Sequence, residues 1–174
     1  MKITQFDVTP IQRRGLILQI RTDEGLTGIG APMNYEHGRT IERAIRDMSD
    51  YLIGKDPRQI EDHWQVLFRS SYSRQMPILL AALSGIDMAC LGILGQSLGA
   101  PIWRLLGGSV RQKIRVYSST GGPEPEKYAE GALRAVERGF TAVKMCPFPE
   151  PVRFIDTPAM VDKTIRRVAA VREA

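Results

Sequence analysis

The strongest constraint on this chain lies in its last 62 residues, 113–174. Residues 113–118 read as a strand, 125–138 as a helix ending at Gly139, and 140–145 as a second strand. Thr157-Pro158 then caps a last helix over 159–172. The two strands start 27 residues apart (113 to 140), the spacing of a parallel βαβ unit. Parallel sheets are covered on both faces, and their strands need more than one neighbour, so two strands do not complete one. An eight-unit β/α barrel takes about 250 residues, and two of its units therefore roughly 60. The pattern predicts the first quarter of such a barrel, incomplete within these residues.

The preceding residues, 1–112, read differently. Residues 2–8 form a predicted strand, and Leu16, Leu18 and Ile20 alternate with Ile17, Gln19 and Arg21. Thr22-Asp23-Glu24-Gly25 is a turn signal before a short strand over 26–30, which gives a three-stranded antiparallel meander. Ile41, Ala44, Ile45, Met48 and Leu52 recur at helical spacing up to Gly54. Asp56-Pro57-Arg58-Gln59 reads as the cap of a second helix, with Ile60, Trp64, Leu67 and Phe68 as its apolar stripe. Pro77 opens a third helix, apolar nearly all round and closed by Gly99 and Pro101. Polar and glycine breaks inside it, from Ser84 to Ser97, make it a buried helix of a soluble domain rather than a membrane span. Gly85, Gly92 and Gly95 would let neighbouring backbones come close, and Asp87 is expected as a buried polar group bonded to its neighbours.

Composition removes several classes. With 43% hydrophobic and 25% charged residues the chain is neither disordered, collagen-like nor a coiled coil. The net charge of +5 comes from residues 101–174, with 13 basic and 8 acidic side chains against 11 and 11 in residues 1–100. The signs are interleaved and no basic run alternates with aromatics, so no nucleic-acid partner is expected. Cys90 and Cys146 are far apart, which argues against a disulfide framework. His37 and His63 are too few for a His-rich zinc site. The first seven residues carry no apolar signal core, and the expectation is cytoplasmic, with no membrane partner. Gly28-Ile29-Gly30 hints at a dinucleotide loop, but Met33 stands at the third glycine position and no βαβ unit surrounds it.

Ala82-Leu83-Ser84-Gly85-Ile86-Asp87-Met88-Ala89, with Gly95-Gln96, Pro101-Ile102 and Leu105-Leu106-Gly107-Gly108, resembles a signature of the enolase superfamily. The likeness is to its mandelate racemase and muconate lactonizing branch, nearest the acid-sugar dehydratases of the galactonate dehydratase type. Asp23-Glu24-Gly25, Gly54-Lys55-Asp56-Pro57 and the strand over 140–145 extend it along the chain. Cys90 and Gly92 depart from the signature, standing where an aliphatic and an acidic residue are usual. The resemblance implies an α+β capping domain over 1–112 followed by the first two βα units of a modified barrel. It also implies Mg²⁺-assisted removal of a proton α to a carboxylate, followed by loss of the β-hydroxyl.

Residue roles follow from the same likeness. Lys144, at the end of the second barrel strand, would be the catalytic cation facing the substrate carboxylate; the alternative is a snorkelling strand-end lysine. The family often has K-x-K there, and here the triplet is Lys144-Met145-Cys146, which disfavours a lysine-based racemase. Cys146 is a candidate contact to substrate, or a small filler. Arg13 and Arg14 after the first strand, and Tyr35 and His37 after the third, lie in the loops that overhang the barrel mouth in this family. The family's Mg²⁺ ligands and dehydratase base belong to later strands. These 174 residues alone are therefore expected to bind no metal and to be inactive. Two other readings stay open: a racemase, epimerase or cycloisomerase of the same superfamily, and a non-catalytic binding or oligomerisation module. In the module reading, uncovered strand edges favour a homo-oligomer or a complementing chain.

Overall fold

The computed structural model describes residues 1–174 apart from 12–14, 34–36, 71, 73–75 and 149–156. In chain order the elements are β1 (Ile3–Ile11), β2 (Gly15–Thr22), β3 (Thr27–Gly30), α1 (Gly38–Leu52), α2 (Ile60–Arg69), α3 (Pro77–Ser97), α4 (Ile102–Leu105), β4 (Ser118–Thr120), α5 (Pro125–Glu137), β5 (Val143–Met145) and α6 (Pro158–Glu173). They divide into two units, Met1–Val110 and Arg111–Ala174.

In the first unit β1, β2 and β3 form the antiparallel meander that the alternation predicts, in the order β1-β2-β3. Leu16, Leu18, Ile20 and Thr22 of β2 are buried while the residues between them are not, so the sheet has one covered face. The helices supply the cover. Ile41, Ala44, Ile45 and Leu52 of α1 are buried, and Met48 packs against the same cluster. Each fully buried leucine or isoleucine contributes about 1.5–3 kcal/mol relative to exposure.

Helix α3 is long and apolar enough to cross a membrane by length and composition. Here it is a core helix, with Ala82, Leu83, Ile86, Ala89, Cys90 and Ile93 buried among the residues of the sheet and α1. Gly28 pairs with Ile20 and Gly30 with Leu18, which puts both glycines on the covered face of the sheet. A Cβ on Gly28 would run into the carbonyl oxygen of Ala89, and one on Gly30 into that of Gly85. The Gly-Ile-Gly motif is thus a slot in which helix and strand backbones touch, not a phosphate loop. The Gln96 side-chain amide continues the seam, donating to the Thr27 carbonyl at 2.8 Å.

Three expectations need correction in this unit and the next. Helix α2 starts at Ile60, not at Pro57, and its N-cap makes no side-chain bond. The Asp56 carboxylate instead accepts from the Arg58 backbone at 3.0 Å and pairs with its guanidinium at 2.7 Å. Asp56 therefore closes a turn ahead of the helix, and the paired guanidinium lowers its pKa to about 2. Asp87 is only half-buried, and among the described residues its carboxylate makes no hydrogen bond. Desolvation, with the Glu61 charge second, raises its pKa. Finally, residues 113–117 join no strand. Ile114 and Val116 are 80% and 60% exposed, and β4 is confined to Ser118–Thr120 because β5 is its one neighbour among the described residues.

In the second unit β4 and β5 are parallel, with Ser118, Ser119 and Thr120 in register with Val143, Lys144 and Met145. Tyr128, Ala132 and Ala135 form the buried stripe of α5. Gly139, at φ +84°, ends that helix, and the Phe140 amide donates back to the Ala135 carbonyl at 3.0 Å. Thr157 caps α6 as expected, its hydroxyl accepting from the Met160 amide at 3.3 Å.

Candidate active site

The site is built around β5. The Arg115 guanidinium holds the approach to this strand, donating to the Thr141 hydroxyl and carbonyl, each at 2.7 Å. The Ser118 amide reaches the Ala142 carbonyl at 3.1 Å, which fixes the parallel register. Lys144 follows, exposed, beside Ser119. Cys146 stands just past the strand and is also exposed, with half-buried Met145 between the two. Alternation along an extended backbone gives Lys144 and Cys146 a common side.

Two residues that the sequence did not single out hold this end of the strand. The Tyr128 hydroxyl donates to the Cys146 carbonyl at 2.8 Å. The Arg167 guanidinium, on α6, donates to the Pro147 carbonyl at 3.0 Å and the Pro123 carbonyl at 2.5 Å. It also lies 5.3 Å from the centre of the Tyr128 ring. Arg167 is 3% exposed, and among the described residues its Nε has no hydrogen-bond partner. Tyr128 was legible only as the first member of an apolar i, i+4, i+7 stripe. In the sequence Arg167 is one more charge in a segment of interleaved signs.

The other candidates divide by location. Arg13, Arg14 and Tyr35 lie outside the described residues. His37 is exposed immediately before α1, its carbonyl accepting from the Ile41 amide at 3.0 Å. His63 is buried and structural: Nε2 bonds the Asp56 carbonyl at 2.7 Å, and Nδ1 lies 3.5 Å from the Tyr51 hydroxyl. Trp64 stacks on Phe68 with ring centres 4.7 Å apart, whereas Trp103 is half-exposed. Among the described residues no three His, Cys, Asp or Glu side chains come together in a way that could hold a metal ion.

An α+β unit with a three-stranded meander, followed by parallel βα units, defines a capping-domain architecture, and comparison with known proteins agrees. Residues 4–107 match the N-terminal domain of the mandelate racemase and muconate lactonizing enzymes. The whole chain is 43% identical to a D-galactonate dehydratase of Pectobacterium atrosepticum, over 45% of that protein. A solved member of the enolase superfamily from Salmonella Typhimurium superposes on 99% of this chain and 51% of its own, with TM-score 0.89 and 30% identity. A mandelate racemase/muconate lactonizing enzyme from Jannaschia sp. CCS1 does so with TM-score 0.84 and 30% identity, over 99% and 51%.

The chain belongs to the mandelate racemase/muconate lactonizing enzyme family of the enolase superfamily. It spans about half the length of the relatives it matches.

Proposed function

We propose that these residues form the N-terminal part of an acid-sugar dehydratase, with Met1–Val110 as the capping domain and Arg111–Ala174 as the opening of a β/α barrel. The observation that carries this reading is the 43% identity to a D-galactonate dehydratase, sustained over the whole chain. Cys146 in place of a second lysine supports a dehydratase over a lysine-based racemase.

The proton α to a carboxylate is barely acidic until the developing charge is stabilised. Lys144, exposed in the middle of β5, supplies a cation that can pair with the substrate carboxylate as that charge grows. The α-proton leaves to a base, the β-hydroxyl departs as water after taking a proton from an acid, and the resulting enol tautomerises to a 2-keto acid. His63 is committed to Asp56 and Tyr51 and is not that base. The resemblance implies Mg²⁺, but the described residues hold no fitting ligand set for it. In this proposal the partners are a small acid sugar and a homo-oligomer or complementing chain, in the cytoplasm.

The test is the native polypeptide containing these residues, assayed with Mg²⁺ on a panel of acid sugars for 2-keto product. Dehydration of at least one is expected, and Lys144→Ala should lower turnover by about 100-fold or more, as removal of a transition-state charge partner does. No product from any acid sugar overturns the dehydratase reading. Undiminished turnover in Lys144→Ala removes the role of Lys144.

A further inference from the structure

We propose that Arg167 and Tyr128 are positioning residues that fix the backbone bearing Lys144. This rests on the reading of Lys144 as an active-site cation. The two residues join the ends of β4 and β5, with main-chain carbonyls as the acceptors of every bond. Arg167 bridges Pro123, after β4, and Pro147, after β5. Tyr128 holds Cys146, and its own carbonyl accepts from the Thr120 hydroxyl at 2.8 Å, which returns the circuit to the end of β4. Lys144 therefore sits between the strand register on one side and this clamp on the other.

Stability alone is a poor account of the arrangement. Burying a guanidinium is costly, and among the described residues no carboxylate pairs with Arg167. Among those residues one of its donors, Nε, is also left without a hydrogen-bond partner. An apolar side chain in the middle of α6 would pack there without that cost. What a planar fork adds is the fixed spacing of two acceptors, and the cation–π contact with Tyr128 helps hold it. Displacing a charge partner by ~1 Å can lower a rate by ~100-fold, so a device that fixes Lys144 matters to turnover more than to folding.

Amide hydrogen exchange in the native polypeptide distinguishes the two roles without any activity assay. Tyr128→Phe removes one hydrogen bond and keeps the ring; Arg167→Lys keeps the charge and removes the fork. The expected result is exchange at least ~10-fold faster in residues 118–122 and 143–146, with α5 and α6 unchanged. Unchanged strand ends, or uniform acceleration across residues 111–174, overturns the proposal. If Arg167→Lys fails to fold, Tyr128→Phe decides alone.

Kinetics adds a second readout. Each variant should lower kcat by about 10-fold or more with a smaller change in KM, and wild-type kcat in both overturns the proposal. If the unaltered protein dehydrates no acid sugar, the functional reading falls, while the exchange result still decides whether the clamp fixes this segment.

Discussion

Adding one methyl group to the glycine slot between β3 and α3 should have opposite effects at neighbouring positions. A Cβ on Gly28 would overlap the Ala89 carbonyl oxygen, 2.7 Å from its carbon and 2.9 Å from Ile93 Cγ1. On Gly30 it would overlap the Gly85 oxygen, 2.7 Å from that carbonyl carbon. Carbon atoms rest ~3.5–4.0 Å apart, so helix or strand must retreat by roughly an ångström. The obstacle is main chain and cannot rotate away. Gly28→Ala and Gly30→Ala should each therefore fall near the upper end of the ~1–3 kcal/mol that overpacking costs. Gly92 is on the same helix, yet a Cβ there meets its nearest atom, the Gly28 Cα, at 3.9 Å. Gly92→Ala should then stabilise by about 0.5–1 kcal/mol through helix propensity. Trp64 and Trp103 both lie in the Met1–Val110 unit, so in a polypeptide of these 174 residues urea unfolding followed by tryptophan fluorescence reads this unit. A main-chain clash at the slot is refuted if Gly28→Ala and Gly30→Ala shift the midpoint no more than Gly92→Ala, or if Gly92→Ala destabilises.

Asp56 and Asp87 give acid responses of opposite sign. The folded pKa of Asp56 is lowered from the ordinary carboxylate range to about 2, so its contribution is complete above the unfolded pKa and fades as pH falls through about 2. Asp56→Asn should lose stability at pH 7 and lose progressively less as pH drops through that window, measured by thermal melts. The folded pKa of Asp87 is raised, so ionising it opposes folding, and that penalty disappears on acidification. Asp87→Asn should raise the melting temperature at pH 7 and have no effect in acid; a lower melting temperature at pH 7 would mean that the carboxylate has a stabilising partner. Burial, with Asp87 second, raises the Cys90 pKa to about 12, whereas Cys146 is exposed. Native alkylation followed by peptide mapping should therefore label Cys146 alone, with Cys90 reacting after denaturation.

The meander, α1 and the all-round apolar α3 were legible because each repeats one signal over many residues. Leu16, Leu18 and Ile20 alternate strictly, and Ile41, Ala44, Ile45 and Leu52 keep helical spacing. Asp56 misled because the carboxylate-Pro pattern that caps a helix also closes a turn, and Arg58 decided between them. Residues 113–117 carry strand-forming side chains, but a strand is completed by its neighbours, and β5 borders only Ser118–Thr120. That Lys144 falls on a strand, as the middle residue of β5, follows from the local run of residues. The Arg167 and Tyr128 clamp does not, since its partners are up to 44 residues apart and are main-chain carbonyls, which every residue has.

The seam between β3 and α3 also sets an order of events during synthesis. Each hairpin of the meander closes within a few residues, but the strand's cover is the helix that ends at Ser97. At ~5–20 residues per second the ribosome needs on the order of 3–13 s to go from Gly30 to Ser97. For that interval Leu16, Leu18 and Ile20 have no α3 to lie against, and the nascent sheet presents its apolar face to whatever waits at the exit tunnel.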